Sequence, residues 1–445
     1  MPAETDSIRE LIKLWMASSW AAAFFGLSQI AKLLGNGNSE WTKDALEMVT
    51  RSIESELSEE MRMVFQSGDR LQRGLITSMF NLLAGRVDTS RLIAKNVVDL
   101  AQCASGTAAM LSPVNEQQLA WQELQNKLET FNLFAHVDLD LDLLRKDASL
   151  SEFVARASRL GPYRSVWAIE GVGHFFAELG DTSGRSIKLA TEPDTLPSSS
   201  LVALHSGAGL SFARRCLETI TTRHSEREVR TTLERFIVIC NENSHAGYVG
   251  AAYEALGLVA RNLYPHLLLE IDHHLAALDE ELVAYFWHGV GRGVYFAPTN
   301  FLLDRKTLRH VMKQAQQESP HELARLNVFS GLIWALVLVN IRHPKIIEGF
   351  IADNLDGLDG EIFAGALCSA AAIWRESSPE DKALTAFWKY HPSDHRVAEF
   401  WNAYVTEPSR MMLNHYYPAV RNAGLGWLFR HRSLPELFVD RERCE

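Results

Sequence analysis

A chain of 445 residues with 47% apolar and 22% charged side chains has material for two or three domains, or one large helical one, and a sizeable core. Its formal net charge of −11, with no run of five basic residues, argues against a nucleic-acid partner, whose affinity would come from clustered Lys and Arg. The five cysteines (Cys103, Cys216, Cys240, Cys368 and Cys444) are odd in number and lack a Cys-x-x-Cys pair, so reduced thiols in a cytoplasmic protein are expected.

Residues 7–35 read as one helix, with Ile8, Leu11, Ile12 and Trp15 at helical spacing and Gly35 at its end. The apolar run Trp15 to Leu27 follows Glu4, Asp6 and Glu10, not a basic region, and falls short of the ~20 residues that span a bilayer. Helices over 40–67, 71–83 and 89–111 follow, and Ser112-Pro113 closes an expected N-terminal helical bundle over 1–112. An alternative makes residues 8–35 a segment that docks on a lipid body or membrane surface. The polar face is acidic or neutral where such helices carry Lys and Arg, which favours the bundle.

A connecting helical segment is expected over 113–160. Its run Asp138-Leu-Asp-Leu-Asp142 reads as a solvated edge, without the Gly and closing Glu of a calcium loop. A larger helical domain then covers 161–445. Helices are expected at 162–180, 201–220, 227–263 (long or broken) and twice within 266–303, with a surface loop between 182 and 200. Pro320, Pro344, Pro379, Pro392 and Pro408 punctuate the remainder. Val328 to Ile341 is apolar, but it is short and interrupted by Ser330 and Asn340, so no integral membrane span is expected. No stretch alternates β-branched residues at length, and the fold class is all-α.

One pattern recurs along this domain. Glu170-Gly-Val-Gly-His174 is echoed by His288-Gly-Val-Gly-Arg292, more faintly by Gly424-Leu-Gly426, and His205-Ser-Gly-Ala-Gly209 adds a further small-residue patch. Glycine inside a helix costs about 1 kcal/mol relative to alanine, so its recurrence implies tight helix crossings or the floor of a ligand cavity. A dinucleotide fingerprint is ruled out, since Gly289, Gly291 and Gly293 lack its third spacing and a preceding strand. Charges on the same apolar helices must be paired to survive burial. Glu170 and His174 share a face, as do His288 and Arg292, and Glu170 or Glu254 is expected to pair with Arg292 across helices. The ligand-lining candidates are therefore Glu170, Gly171, Gly173, His174, Tyr253, Glu254, His288, Gly289, Gly291 and Arg292.

Two Glu-x-x-His pairs, Glu242 with His245 and Glu270 with His273, match half of a carboxylate-bridged di-iron site, for which Glu170 and Glu254 would supply the rest. Their close spacing and the helix-breaking Asn241, Asn243 and Ser244 weaken that reading. Ser206 lacks a nucleophile elbow, and the adjacency of Cys240 to His245 in sequence is not what a Cys–His pair requires. The sequence leaves any cofactor unidentified.

Glu170-Gly-Val-Gly-His174, Tyr253-Glu-Ala-Leu-Gly257 and Phe286-Trp-His-Gly-Val-Gly-Arg-Gly-Val-Tyr-Phe296 resemble segments of a bacterial family found beside enediyne polyketide synthase genes. The resemblance covers roughly residues 155–430 and leaves 1–112 unexplained. It implies an accessory role in secondary metabolism and carries no catalytic residues. Two functions follow for testing, a protein holding a hydrophobic small molecule or carrier-bound acyl chain in a helical cavity or a non-catalytic helical scaffold binding a protein partner, with a carboxylate/His metal-dependent oxygenase built on the Glu-x-x-His pairs as a further alternative. The ligand reading requires at least three of Glu170, His174, Glu254, His288 and Arg292 in one enclosed pocket. The scaffold reading requires all five to be paired among themselves in a packed core, with an exposed apolar groove elsewhere.

Overall fold

The computed structural model describes residues 149–183, 189, 196–220, 224–297 and 306–438, with scattered positions between 119 and 134. They fall almost entirely in one compact unit, Gln122–Asn300 with Arg305–Glu445. The helices expected before residue 112, the surface segment 8–35 and the run Asp138 to Asp142 lie outside the described residues.

Every regular element among the described residues is helical. In chain order they begin α1 (Leu150–Ser158), α2 (Pro162–Ser183), α3 (Ser198–Leu217), α4 (Glu226–Asn243), α5 (Val249–Leu263) and α6 (Leu268–Leu278). Then come α7 (Glu280–Tyr295), α8 (Lys306–Glu318), α9 (Glu322–Asn340), α10 (Pro344–Asn354) and α11 (Gly360–Ser377), followed by shorter turns to Leu437. Polar caps set several starts. Ser149 with Glu152, and Ser225 with Glu228, form capping boxes on α1 and α4, while Asp279 and Asp359 cap α7 and α11. The helix expected over 227–263, long or broken, is broken at Ser244–Tyr248, where Gly247 takes φ 84°, a left-handed conformation that glycine adopts without steric cost.

Helices α2, α3, α5, α7, α9 and α11 form an inner series, each packed on the next, with α11 returning to α3. The alternate helices α4, α6, α8 and α10 pack outside it: α4 on α3 and α6, α6 on α7, and α8 and α10 on α9 and each other. The composition explains the division. In α7 every residue from Val283 to Tyr295 is buried, and α9 is buried from Asn327 to Asn340, as befits helices apolar on all sides. The outer α4 instead buries one stripe, Val229, Leu233, Phe236 and Cys240. Among the described residues only α9 is long and apolar enough to cross a membrane, and it is packed between α7 and α11.

The glycines set the inner crossings. At ~100° per residue, positions i and i+2 of a helix face flanks about 200° apart. In α2, Gly171 lies against the backbone of Phe134 and Gly173 against that of Leu204 in α3. In α3, Gly207 meets Glu170 of α2 and Gly209 meets Ala252 of α5. In α7, Gly289 meets Glu254 of α5 and Gly291 meets Val328 of α9. In α3 and α7 the first glycine thus faces the inner helix before, and in all three helices the second faces the inner helix after. Gly257 against Phe286 and Gly331 against His288 complete the α5–α7 and α7–α9 crossings from the other side. At each of these positions a carbonyl oxygen of the neighbouring helix occupies the space a Cβ would need. Gly424 and Gly426 do not share this role. Gly424, at φ 84°, lies backbone to backbone against Gly247, and the Gly426 N–H donates to the Gly247 carbonyl at 2.7 Å, at the start of a short 3-10 turn and not within an α-helix.

Candidate functional site

Between the two glycine flanks of an inner helix lie the residue before the first glycine and the one four positions later, both turned toward the neighbouring helices' shared interior. Those positions hold Glu170 and His174 in α2, Ser206 in α3, His288 and Arg292 in α7, and Ser330 and Trp334 in α9. Tight crossings bring Glu170, Ser206, His288, Arg292 and Trp334 together with Glu254 of α5, while His174 and Ser330 turn to other partners.

Arg292 is the hub. Its Nη2 donates to Glu170 Oε1 at 2.8 Å, and its Nη1 to Glu254 Oε2 at 3.0 Å and Ser206 Oγ at 3.2 Å. Ser206 Oγ in turn donates to Glu170 Oε1 at 2.7 Å. His288 Nδ1 lies 3.3 Å from Glu254 Oε1, and since a carboxylate only accepts, Nδ1 carries the proton. All five side chains are buried, Glu254 completely. The guanidinium sits 5.3 Å from the Trp334 ring centroid, and the His288 ring packs edge-on to Trp334 and Phe429. Either Glu170 or Glu254 was expected to meet Arg292; both do, from helices on two sides.

Burial and charge oppose each other here. Burial would raise the Glu254 carboxyl, but the Arg292 guanidinium and the His288 bond hold it below its ordinary range. Burial lowers His288 by more than Glu254 raises it. Desolvation would weaken the charge on Arg292, yet the two carboxylates drive its proton affinity above the ordinary value. The charges of these groups are thus paired within the cluster. Ser206 Oγ both donates and accepts within the cluster, so it is not poised as a nucleophile.

The remaining candidates sit elsewhere. No hydrogen bond joins His174 to Glu170. Its ring packs 5.3 Å from Phe134, and burial lowers its pKa to about 4 against the opposing charge of Glu178. Tyr253 donates to Asn241 of α4 at 2.8 Å and packs on the Tyr285 ring, away from the hub. Gly171, Gly173, Gly289 and Gly291 face neighbouring backbones and not open space. The two Glu-x-x-His pairs do not converge. Glu242 and His273 are exposed, His245 Nδ1 contacts the Ala246 carbonyl, and Glu270 pairs with His224 at 2.8 Å. Among the described residues no group of three or more His, Cys, Asp or Glu side chains is arranged to hold a metal ion. Ser206 and Trp334 are the cluster members that the sequence reading did not select. Ser206 precedes Gly207 just as Glu170 precedes Gly171 and His288 precedes Gly289, and that register was the available signal.

Comparison with protein-family models, curated proteins and solved structures gives no match.

Proposed function

We propose that this domain is a non-catalytic helical scaffold that acts by binding another protein, with the Arg292 cluster as its internal fastening. The supporting observation is that Arg292, Glu170, Glu254, Ser206 and His288 bond to one another in a core whose glycine faces are filled by backbone. A group that works on a substrate must face a place where the substrate can sit, and four of the five polar candidates face each other instead. The glycine echoes are, in this reading, an internal repeat whose purpose is close helix approach.

A second reading, the binding of a hydrophobic small molecule or acyl chain, has one observation in its favour. Arg292 Nε and Trp334 Nε1 are both buried without a hydrogen-bond partner, on side chains packed against each other. Two orphaned donors suit an acceptor oxygen from outside the chain. The place in bacterial secondary metabolism and the cytoplasmic location rest on the resemblance and the cysteine usage alone.

Native mass spectrometry of the protein from its own cells, with metal analysis of the same sample, separates the readings. The scaffold reading expects the bare chain mass or a protein complex. A retained small molecule or stoichiometric iron would overturn it.

A further inference from the structure

His205 lies in the inner helix α3, 1% exposed, with both ring nitrogens engaged. Nδ1 is 2.6 Å from the Leu201 carbonyl, and Nε2 is 2.9 Å from the backbone nitrogen of His245. A backbone N–H can only donate and a carbonyl can only accept. The ring is therefore the neutral tautomer with its proton on Nδ1 and its lone pair on Nε2. A proton added at Nε2 would face the His245 N–H directly, donor against donor, and the bond would be lost.

That bond secures the break between α4 and α5. Tyr248, at the end of the break, stacks on the His205 ring with centroids 5.4 Å apart. Gly247, in the middle, receives the Gly426 N–H at 2.7 Å and lies against Gly424. The segment held there carries Leu425, Leu428 and Phe429, all buried, and Phe429 packs its ring on Trp334 at 5.3 Å. His205, the break and this C-terminal segment thus form one chain of contacts from α3 to the cover over the α7–α9 face.

We propose that His205 is a proton-sensitive latch: protonation of its ring releases the Ser244–Tyr248 break and the Gly424–Phe429 segment docked on it. The surroundings offer an incoming charge no compensation. His245 of the break opposes it, and the Tyr248 hydroxyl, its pKa raised by burial, stays neutral as pH falls. The carboxylates on the helices packed against α3 are committed elsewhere: Glu170 and Glu178 of α2 to Ser206, Arg292, Ser211 and Arg214, and Glu254 of α5 to Arg292 and His288. On α4, the Cys240 thiol is held neutral by burial. On α11, Glu376 is bound by Tyr417 and by Arg421 Nε at 2.8 Å.

The sign follows from linkage. Burial lowers the His205 pKa to about 4, whereas a free histidine titrates near ~6.5. Between those values the released form binds a proton and the latched form does not, so latching weakens as pH falls through that window. Above about 6.5 the latch is at full strength.

Hydrogen-exchange protection factors of the full chain at pH 7.5, 6 and 4.5, with histidine C2–H exchange to titrate His205, test this. Expected is a drop of at least tenfold in protection at residues 244–250 and 424–429 over the window in which His205 takes up its proton, while amides in α7 and α9 keep theirs. In His205→Gln, whose amide can donate and accept but does not titrate, protection of both segments should no longer follow pH. Intact protection with His205 protonated would overturn the latch, as would equal losses in α7 and α9 or the same pH profile in the glutamine variant. If that variant fails to fold, the wild-type titration decides alone.

Discussion

Replacing Arg292 with methionine is expected to destabilise the domain by about 3–5 kcal/mol, because it leaves Glu170 and Glu254 buried with no cation between them. Against a typical folding stability of ~5–15 kcal/mol, that is a third or more of the total. The side chain's apolar stem has a near equivalent in methionine, so the loss would report charge and hydrogen bonding more than volume. Adding Glu170→Gln and Glu254→Gln to the same chain should recover at least half of the deficit. Two neutral amides cost far less to bury than two carboxylates, and they can still bond Ser206 and His288. Denaturant midpoints at neutral pH measure both effects, with soluble yield as the readout if the single variant does not accumulate. An unchanged midpoint for Arg292→Met would show that the cluster is not what holds these helices together. A triple variant no better than the single would show that the guanidinium, and not charge balance, is the requirement.

This pairing was partly legible in the sequence, for a physical reason. Charged residues in apolar helices must find partners, and His288 and Arg292, four apart, had to point the same way. The sequence does not state how many helices reach one guanidinium, and Arg292 takes carboxylates from α2 and α5 together. Glu170 and His174 also share a face, yet His174 packs on Phe134, because a face spans two turns and different neighbours cover each turn. Helix starts were readable to within a few residues where proline or a capping side chain marks them, as at Pro162 and Ser225. The start of α3 at Ser198, within the stretch read as loop, has no side-chain cap to announce it. The echo at Gly424 misled for a different reason. Its glycines answer to Gly247, 177 positions away, and long-range backbone contact leaves no periodicity in the sequence. The glycine pairs of α2, α3 and α7 were conspicuous, but their opposed flanks became clear only once the helices on either side were placed.

Gly289→Ala is expected to cost about 3 kcal/mol or more, the upper end of overpacking penalties, despite being a helix-favouring change. The new Cβ would fall on the Glu254 carbonyl oxygen, and backbone of a packed helix cannot swing aside as a side-chain tip can. Gly257 faces the Phe286 carbonyl across the same crossing, so α5 and α7 meet glycine to backbone on both sides and neither has slack to give. Moving them apart would also stretch the contacts of Arg292 and His288 with Glu254, which span that crossing. Gly349→Ala supplies the contrast. This glycine sits within the outer helix α10 with nothing near its Cβ position, and the substitution should stabilise by about 0.5–1 kcal/mol through helix propensity alone. Thermal and denaturant unfolding of the two variants side by side would read opposite signs from the same chemical change. If both stabilise, the α5–α7 crossing has room to spare, and a cavity floor becomes the better account of the glycines.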